Sequence, residues 1–180
     1  IRDRLMSRGL GEVYKRQVEA YEYDLTIIGG SAKRSMSHDM IQYINSSIFV
    51  ANNFNKTINY KILLAVDDSP GTKKAVKYGV RVAQAFGIKV QIITVNENNN
   101  SNKANKKSSE NASKMMRRCG VEAETKFEVG KPVDKIIELA GEDHIIIMGA
   151  STQSPIAKFF VGSKPLNVMQ NSNCPILIVK

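Results

Sequence analysis

From residue 60 onward two hydrophobic rhythms alternate along the chain. Short runs rich in Ile, Leu and Val read as strands: "YKILLAV" (60–66), "KVQIITV" (89–95), "EAETKFEVG" (122–130), "HIIIMG" (144–149) and "PILIVK" (175–180). Between them lie segments of helical spacing. In "KKAVKYGVRVAQAFG" the apolar positions Ala75, Val76, Val80, Val82, Ala83 and Phe86 recur every three to four residues, and Gly87 stops the run. "ASKMMRRCG" reads as a short helix ended by Gly120. "PVDKIIELAGE" starts with a proline, which the first helical turn tolerates because it needs no N–H there. A last helix is expected over residues 164–170, started by Ser163. The polar stretch "ENNNSNKANKKSSEN" (97–111) carries no apolar stripe and is expected to be a loop.

Strand and helix in strict alternation predict an α/β fold: a five-stranded parallel sheet sandwiched by helices, Rossmann-like in build. Such sheets bind ligands beyond the carboxyl ends of their strands, where the strand order reverses. Here those ends are Val66-Asp67-Asp68, Val95-Asn96, Val129-Gly130 and Met148-Gly149.

The pattern also repeats. "YDLTIIGGSAKRSMSHDMIQYINSSIFVA" (23–51) matches the closing segment from "DHIIIMG" to "PILIVK": an apolar strand ending in Gly, a loop, a short helix, and a second apolar strand. Two tandem domains are the simplest account. Residues 58–180 form the complete one, and 18–52 are the C-terminal β-α-β remnant of the first. The polar segment "NNFNKTIN" links them.

Composition narrows the function classes. A 42% hydrophobic fraction can build a core, while no run approaches the roughly 18 apolar residues of a membrane span. The net charge is +9, but Arg2, Arg4, Arg8, Lys15 and Arg16 stand against only Asp3 and Glu12 in "IRDRLMSRGLGEVYKRQ". This opening, residues 1–17, resembles a translated sequencing adapter and is treated as non-native. The other lysines are scattered, without aromatic interleaving, so nucleic acid is not expected as a partner. Cys119 and Cys174 form no C-x-x-C pair, and His38 and His144 are isolated. No metal site and no disulfide framework are expected, and a reducing cytoplasm fits. His144 opens an apolar strand and reads as structural.

One loop carries candidate chemistry. "GASTQSPIAKFFVGSKP" (149–165) follows an apolar strand and ends in Gly-Ser at a helix start. At this point the chain resembles the universal stress protein family. The carriers are "ILLAVDDS", "VGKPVDKIIELA", "DHIIIMG" and "FFVGSKPLNVMQNSNCPILIV", with residues 23–51 resembling the tail of a preceding copy. The resemblance implies pairing through last strands, between two tandem domains or in a homodimer, which would set Ile48–Val50 beside Ile176–Val179.

ATP-binding members of that family carry G-x2-G-x9-G-[ST]. Gly149, Gly162 and Ser163 match it at the right spacing, and Thr152 stands at the second glycine. Gly149 would let backbone approach the ligand. Gly162 and Ser163 would offer a phosphate the N–H groups of a helix N-terminus, with Ser163 as cap and donor. Lys158 and Lys164 add positive charge. By the same resemblance Asp67 would accept from adenine or ribose, Val66 and Val95 would flank the base, and Met148 would touch it through its backbone. If the position of Thr152 needs φ > 0, a β-branched residue there costs about 1–3 kcal/mol.

The reading is therefore a cytoplasmic stress-response module with an ATP or other adenine-nucleotide site, variant at Thr152. Any Mg would arrive only with the nucleotide. The alternative is a nucleotide-independent dimerisation or partner-binding module of the same fold. No Walker-type loop and no Ser/His/Asp set is present, so the protein is not expected to be an enzyme. The place after the first strand holds "DDSPGT" rather than the S-G-G-x-D-S loop of ATP-pyrophosphatase ligases.

Overall fold

The computed structural model describes residues 23–30, 44, 46–98, 103–150 and 161–180. The opening read as non-native (1–17), Thr152, Lys158 and the helix expected in the first repeat lie outside the described residues.

The elements in chain order are β1 (Leu25–Gly29), β2 (Ser47–Ala51), β3 (Lys61–Ala65), α1 (Pro70–Phe86), β4 (Val90–Asn96), α2 (Lys103–Arg118), β5 (Ala123–Val129), α3 (Pro132–Ala140), β6 (His144–Gly149), α4 (Ser163–Asn171) and β7 (Ile176–Val179). Each predicted strand after residue 60 is present. Gly87 closes α1 in the left-handed conformation, φ 63°, which costs glycine nothing for want of a Cβ.

The sheet has seven strands, not five, in the order β1-β2-β7-β6-β3-β4-β5. Five, β3 to β7, pair in parallel. The other two, β1 and β2, are parallel to each other and joined to β7 antiparallel. The register sets Ile48 opposite Ile178, Phe49 opposite Leu177 and Val50 opposite Ile176, the expected last-strand pairing. The backbone groups along β7 would otherwise be an open edge, and the fully buried Ile48, Val50, Ile176 and Ile178 share one side of the join.

Two cores sandwich the sheet. On one side α1 and α2 cover Ile62, Leu64, Ile92 and Ile147; on the other α3 and α4 cover Leu63, Ile93, Ile146 and Ile176. Adjacent residues such as Leu63 and Leu64 point to opposite faces, and both are fully buried. A continuous apolar run is what a doubly covered parallel strand requires.

The expected loop at 97–111 is corrected over most of its length: α2 begins at Lys103. Its buried positions are Asn105, Ser109, Ala112, Ser113 and Met116, a helical stripe built largely from small polar residues. A search for apolar periodicity misses such a stripe, because the burial period is kept while hydrophobicity is not.

Candidate functional site

In the sheet order β3 lies between β6 and β4, so the chain leaves β3 in one direction and leaves β6 in the other. The gap beyond their carboxyl ends is the reversal point at which open α/β sheets form crevices. A cleft of about 800 Å³ occupies it. Val66, Asp67, Val95, Met148, Gly149, Gly162, Ser163 and Lys164 all line this cleft. Eight of the nine sequence-derived site residues thus come together, and the ninth, Thr152, is outside the described residues.

Val66 is held between strands: its N–H donates to Ile93 O at 2.9 Å, and its carbonyl accepts from the Thr94 hydroxyl at 3.1 Å. Asp67 then begins the turn into α1. Its Oδ1 accepts from the Ser69 N–H at 3.0 Å and from the Thr72 hydroxyl at 2.7 Å. The same hydroxyl lies 3.2 Å from the Asp67 N–H. One carboxylate oxygen is therefore committed to the turn, while Asp67 itself stays half-buried at the cleft. Ser69 is the N-cap residue of α1 by backbone, yet its side chain makes no capping bond. Asp67 and Thr72 organise this turn instead.

An amide relay ties the neighbouring loops. The Asp68 N–H donates to Asn105 Oδ1 at 3.0 Å, and Asn105 Nδ2 donates to Asn96 Oδ1 at 3.0 Å. The Asn96 carbonyl in turn accepts from the Gly130 N–H at 2.9 Å. Asn105 is only 8% exposed, so these bonds are what makes its burial tolerable. The residues Thr72 and Asn105 were missed in the sequence, and Asn96 was named only as a strand end. Asn105 sits in the stretch read as a loop, and its partners lie nine and thirty-seven residues away.

Gly149 carries a packing constraint that the sequence pattern did not reveal. A Cβ added there would come within 2.5 Å of Gly71 C and 2.7 Å of Gly71 O. The missing side chain lets the end of β6 lie directly against the first turn of α1. Close helix–strand packing by itself demands glycine at this place.

The start of α4 is also corrected. Ser163 is its first residue rather than its cap; Gly162 is the N-cap, in extended conformation (φ −64°, ψ 165°), with no side-chain capping bond. The Ser163 and Lys164 amides precede the first intrahelical donor, and Pro165 has no N–H. The helical ladder is joined by the Leu166 N–H, 3.4 Å from Gly162 O. Ser163 and Lys164 are exposed at the cleft, and Lys164 Nζ lies 3.7 Å from Glu97 Oε1.

His144 lies at the amino end of β6, away from the cleft at the carboxyl ends. It is buried, with Nδ1 3.0 Å from Ala140 O and 2.7 Å from Asp143 Oδ1. Burial pushes the Asp143 carboxyl up, but the hydrogen bond from Lys61 and the neighbouring His144 outweigh it and hold it below the usual range. Among the described residues no cluster of His, Cys, Asp or Glu could hold a metal ion, and no helix is long and apolar enough to cross a membrane.

The sequence profile of the universal stress protein family matches residues 59–180. The chain belongs to the universal stress protein family. A universal stress protein of Methanocaldococcus jannaschii is 24% identical over 138 residues, covering 67% of this chain and 81% of that protein. One of Bacillus subtilis is 28% identical over 145 residues, covering 67% and 98%. Among solved structures, a universal stress protein in complex with cAMP is 28% identical, with a TM-score of 0.56 over 68% of this chain and 97% of that one. An Archaeoglobus fulgidus universal stress protein in complex with dAMP is 21% identical, with a TM-score of 0.55 over 68% and 99%. Another from Archaeoglobus fulgidus is 18% identical, with a TM-score of 0.67 over 91% of this chain and 63% of that one. The universal stress protein fold, with its parallel-rich sheet between helices, is therefore shared over the C-terminal unit and matched over most of the chain.

Proposed function

We propose that this universal stress protein is a stress-response module that binds an adenine nucleotide in the cleft at the sheet reversal and acts through binding rather than catalysis. The observation that carries the reading is the convergence on one cleft, by three strand ends and one helix start, of the residues that the family's nucleotide motif would use. A volume of about 800 Å³ suits a ligand of nucleotide size. The residues present fit the group. Val66 and Val95 would hold the base, with Asp67 accepting from base or ribose. The Ser163 and Lys164 amides and the Lys164 ammonium would meet phosphate. The cAMP and dAMP complexes of relatives support this choice of ligand class. ATP is the finer form of the proposal, with Mg carried by the nucleotide, and the cytoplasm is its proposed location.

A second reading keeps the fold and drops the ligand: a dimerisation or partner-binding module. The antiparallel β2–β7 join supports it, as strand pairing along the last strand within this chain. The threonine at position 152, where ATP-binding members carry glycine, favours it too.

Equilibrium binding of a fluorescent ATP analogue to the full chain, beside Thr152→Gly, separates the two. Micromolar binding by the parent chain, displaced by ATP, is the expected result. Binding by the glycine variant alone would transfer the argument to the partner module. Binding by neither would remove the nucleotide reading.

A further inference from the structure

Among the described residues, the cleft is lined by more carboxylate than a polyphosphate site calls for. Its charged lining among the described residues is Asp67, Asp68 and Glu97 against the single cation Lys164. That cation is already engaged, with Nζ 3.7 Å from Glu97 Oε1. Glu97 lies just beyond β4 and Lys164 in the first turn of α4, so the pair spans two elements at the cleft. No acidic residue stands in the first turn of α4 itself. Among the described residues the attractive part of the site is thus one helix start with two amides and Lys164, and the opposing charge comes from the strand ends.

We propose that Glu97 acts as a charge filter, holding Lys164 and biasing the cleft toward adenine nucleotides with few phosphates over the triphosphate. The inference rests on reading the cleft as a nucleotide site, and it names which nucleotides that site prefers. A phosphate oxygen within hydrogen-bond reach of Lys164 Nζ would lie about 6.5 Å or less from the Glu97 carboxylate. A single phosphate can settle on the Ser163 and Lys164 amides and leave the ion pair standing. A triphosphate brings more negative charge to the same three carboxylates, and gains Lys164 only by taking it from Glu97. Both side chains are largely in water, 51% exposed for Lys164 and 67% for Glu97. An exposed pair is weak, so the device tunes selectivity rather than blocking the site. Glu97 is a specificity-determining residue in this account, with no role in any reaction.

The test is isothermal titration of the full chain and of Glu97→Gln with adenosine, AMP and ATP, in a chelating buffer at low and high salt. The parent chain is expected to bind AMP at least as tightly as ATP. Glu97→Gln should tighten ATP by about five- to tenfold, AMP by less, and adenosine by under about twofold. The gain for ATP should shrink as salt is raised. An unchanged ATP-to-AMP preference in Glu97→Gln would overturn the filter, as would an equal gain for adenosine, which carries no phosphate. A failure of all three ligands to bind either chain is a different result: it removes the nucleotide site itself, and the filter with it.

Discussion

Replacing Gly149 by alanine tests whether the first motif glycine serves the fold or the ligand. The added Cβ would meet three backbone atoms of Gly71, C at 2.5 Å, O at 2.7 Å and Cα at 2.8 Å. Backbone cannot turn aside as a side chain can, so either the first turn of α1 or the end of β6 must shift. Both are anchored. The Ala150 N–H donates to Val179 O at 2.7 Å, and Asp67 and Thr72 hold the turn into α1. Overpacking of this kind costs about 2–3 kcal/mol, which for a domain of this size lowers Tm by about 5–10 °C. Gly71→Ala is the control. Its Cβ would meet Ala150 O and Gly149 Cα at 3.2 Å, a tight but adjustable contact, and alanine gains about 1 kcal/mol of helix propensity. It should stay within about 1 kcal/mol of the parent. The assay is urea unfolding of both variants, with nucleotide titration alongside. Should Gly149→Ala unfold at the parental midpoint while losing nucleotide, the packing argument is wrong and the glycine serves the ligand.

Three further outcomes follow from buried polar groups. Asn105→Ala should destabilise by about 1–3 kcal/mol in urea unfolding, because it strips the Asp68 N–H and Asn96 Oδ1 of their partner; a midpoint equal to the parent's would show that the relay contributes nothing. Ser109→Ala should be neutral or stabilise by up to about 1 kcal/mol, since the Ser109 hydroxyl is fully buried without a hydrogen-bond partner among the described residues; a loss above 1 kcal/mol would contradict this. Burial lowers the Lys180 pKa to about 8 in the folded chain, from 10.5. The unfolded chain therefore binds more protons between those values, and this group adds stability as pH rises from about 8 toward 10.5. Lys180→Met should flatten that rise in chemical denaturation at pH 7, 9 and 10, and an unaltered difference between the two chains across that range would refute it.

Much of the architecture was legible in the chain because strands covered on both faces must be continuously apolar, and helices covered on one face must repeat every three to four residues. "KILLA" and "HIIIMG" leave no other placement, and Gly87 closes α1 where the pattern stops. The strand ends followed from that alternation, and with them the side of the sheet where Val66, Asp67, Val95 and Gly149 meet. The family's spacing added Gly162 and Ser163. The strands of the β1–β2 pair were legible as apolar runs, and the family resemblance pointed the second of them to β7.

What the sequence could not decide were matters of contact between distant residues. Helix α2 is specified by a buried stripe of Asn105, Ser109 and Ser113, whose polarity hides its period until α1, β4 and β5 are packed against it. The count of seven strands required β2 and β7 to share hydrogen bonds across 125 intervening residues or more, an event no local pattern encodes. The role of Gly149 depends on Gly71 lying against it, and the availability of Lys164 on a carboxylate from another loop. Periodicity reports which side of an element is buried, because burial repeats with the backbone. Which atoms meet there is set only when the elements pack, because that is when separate stretches of chain compete for the same space and charge.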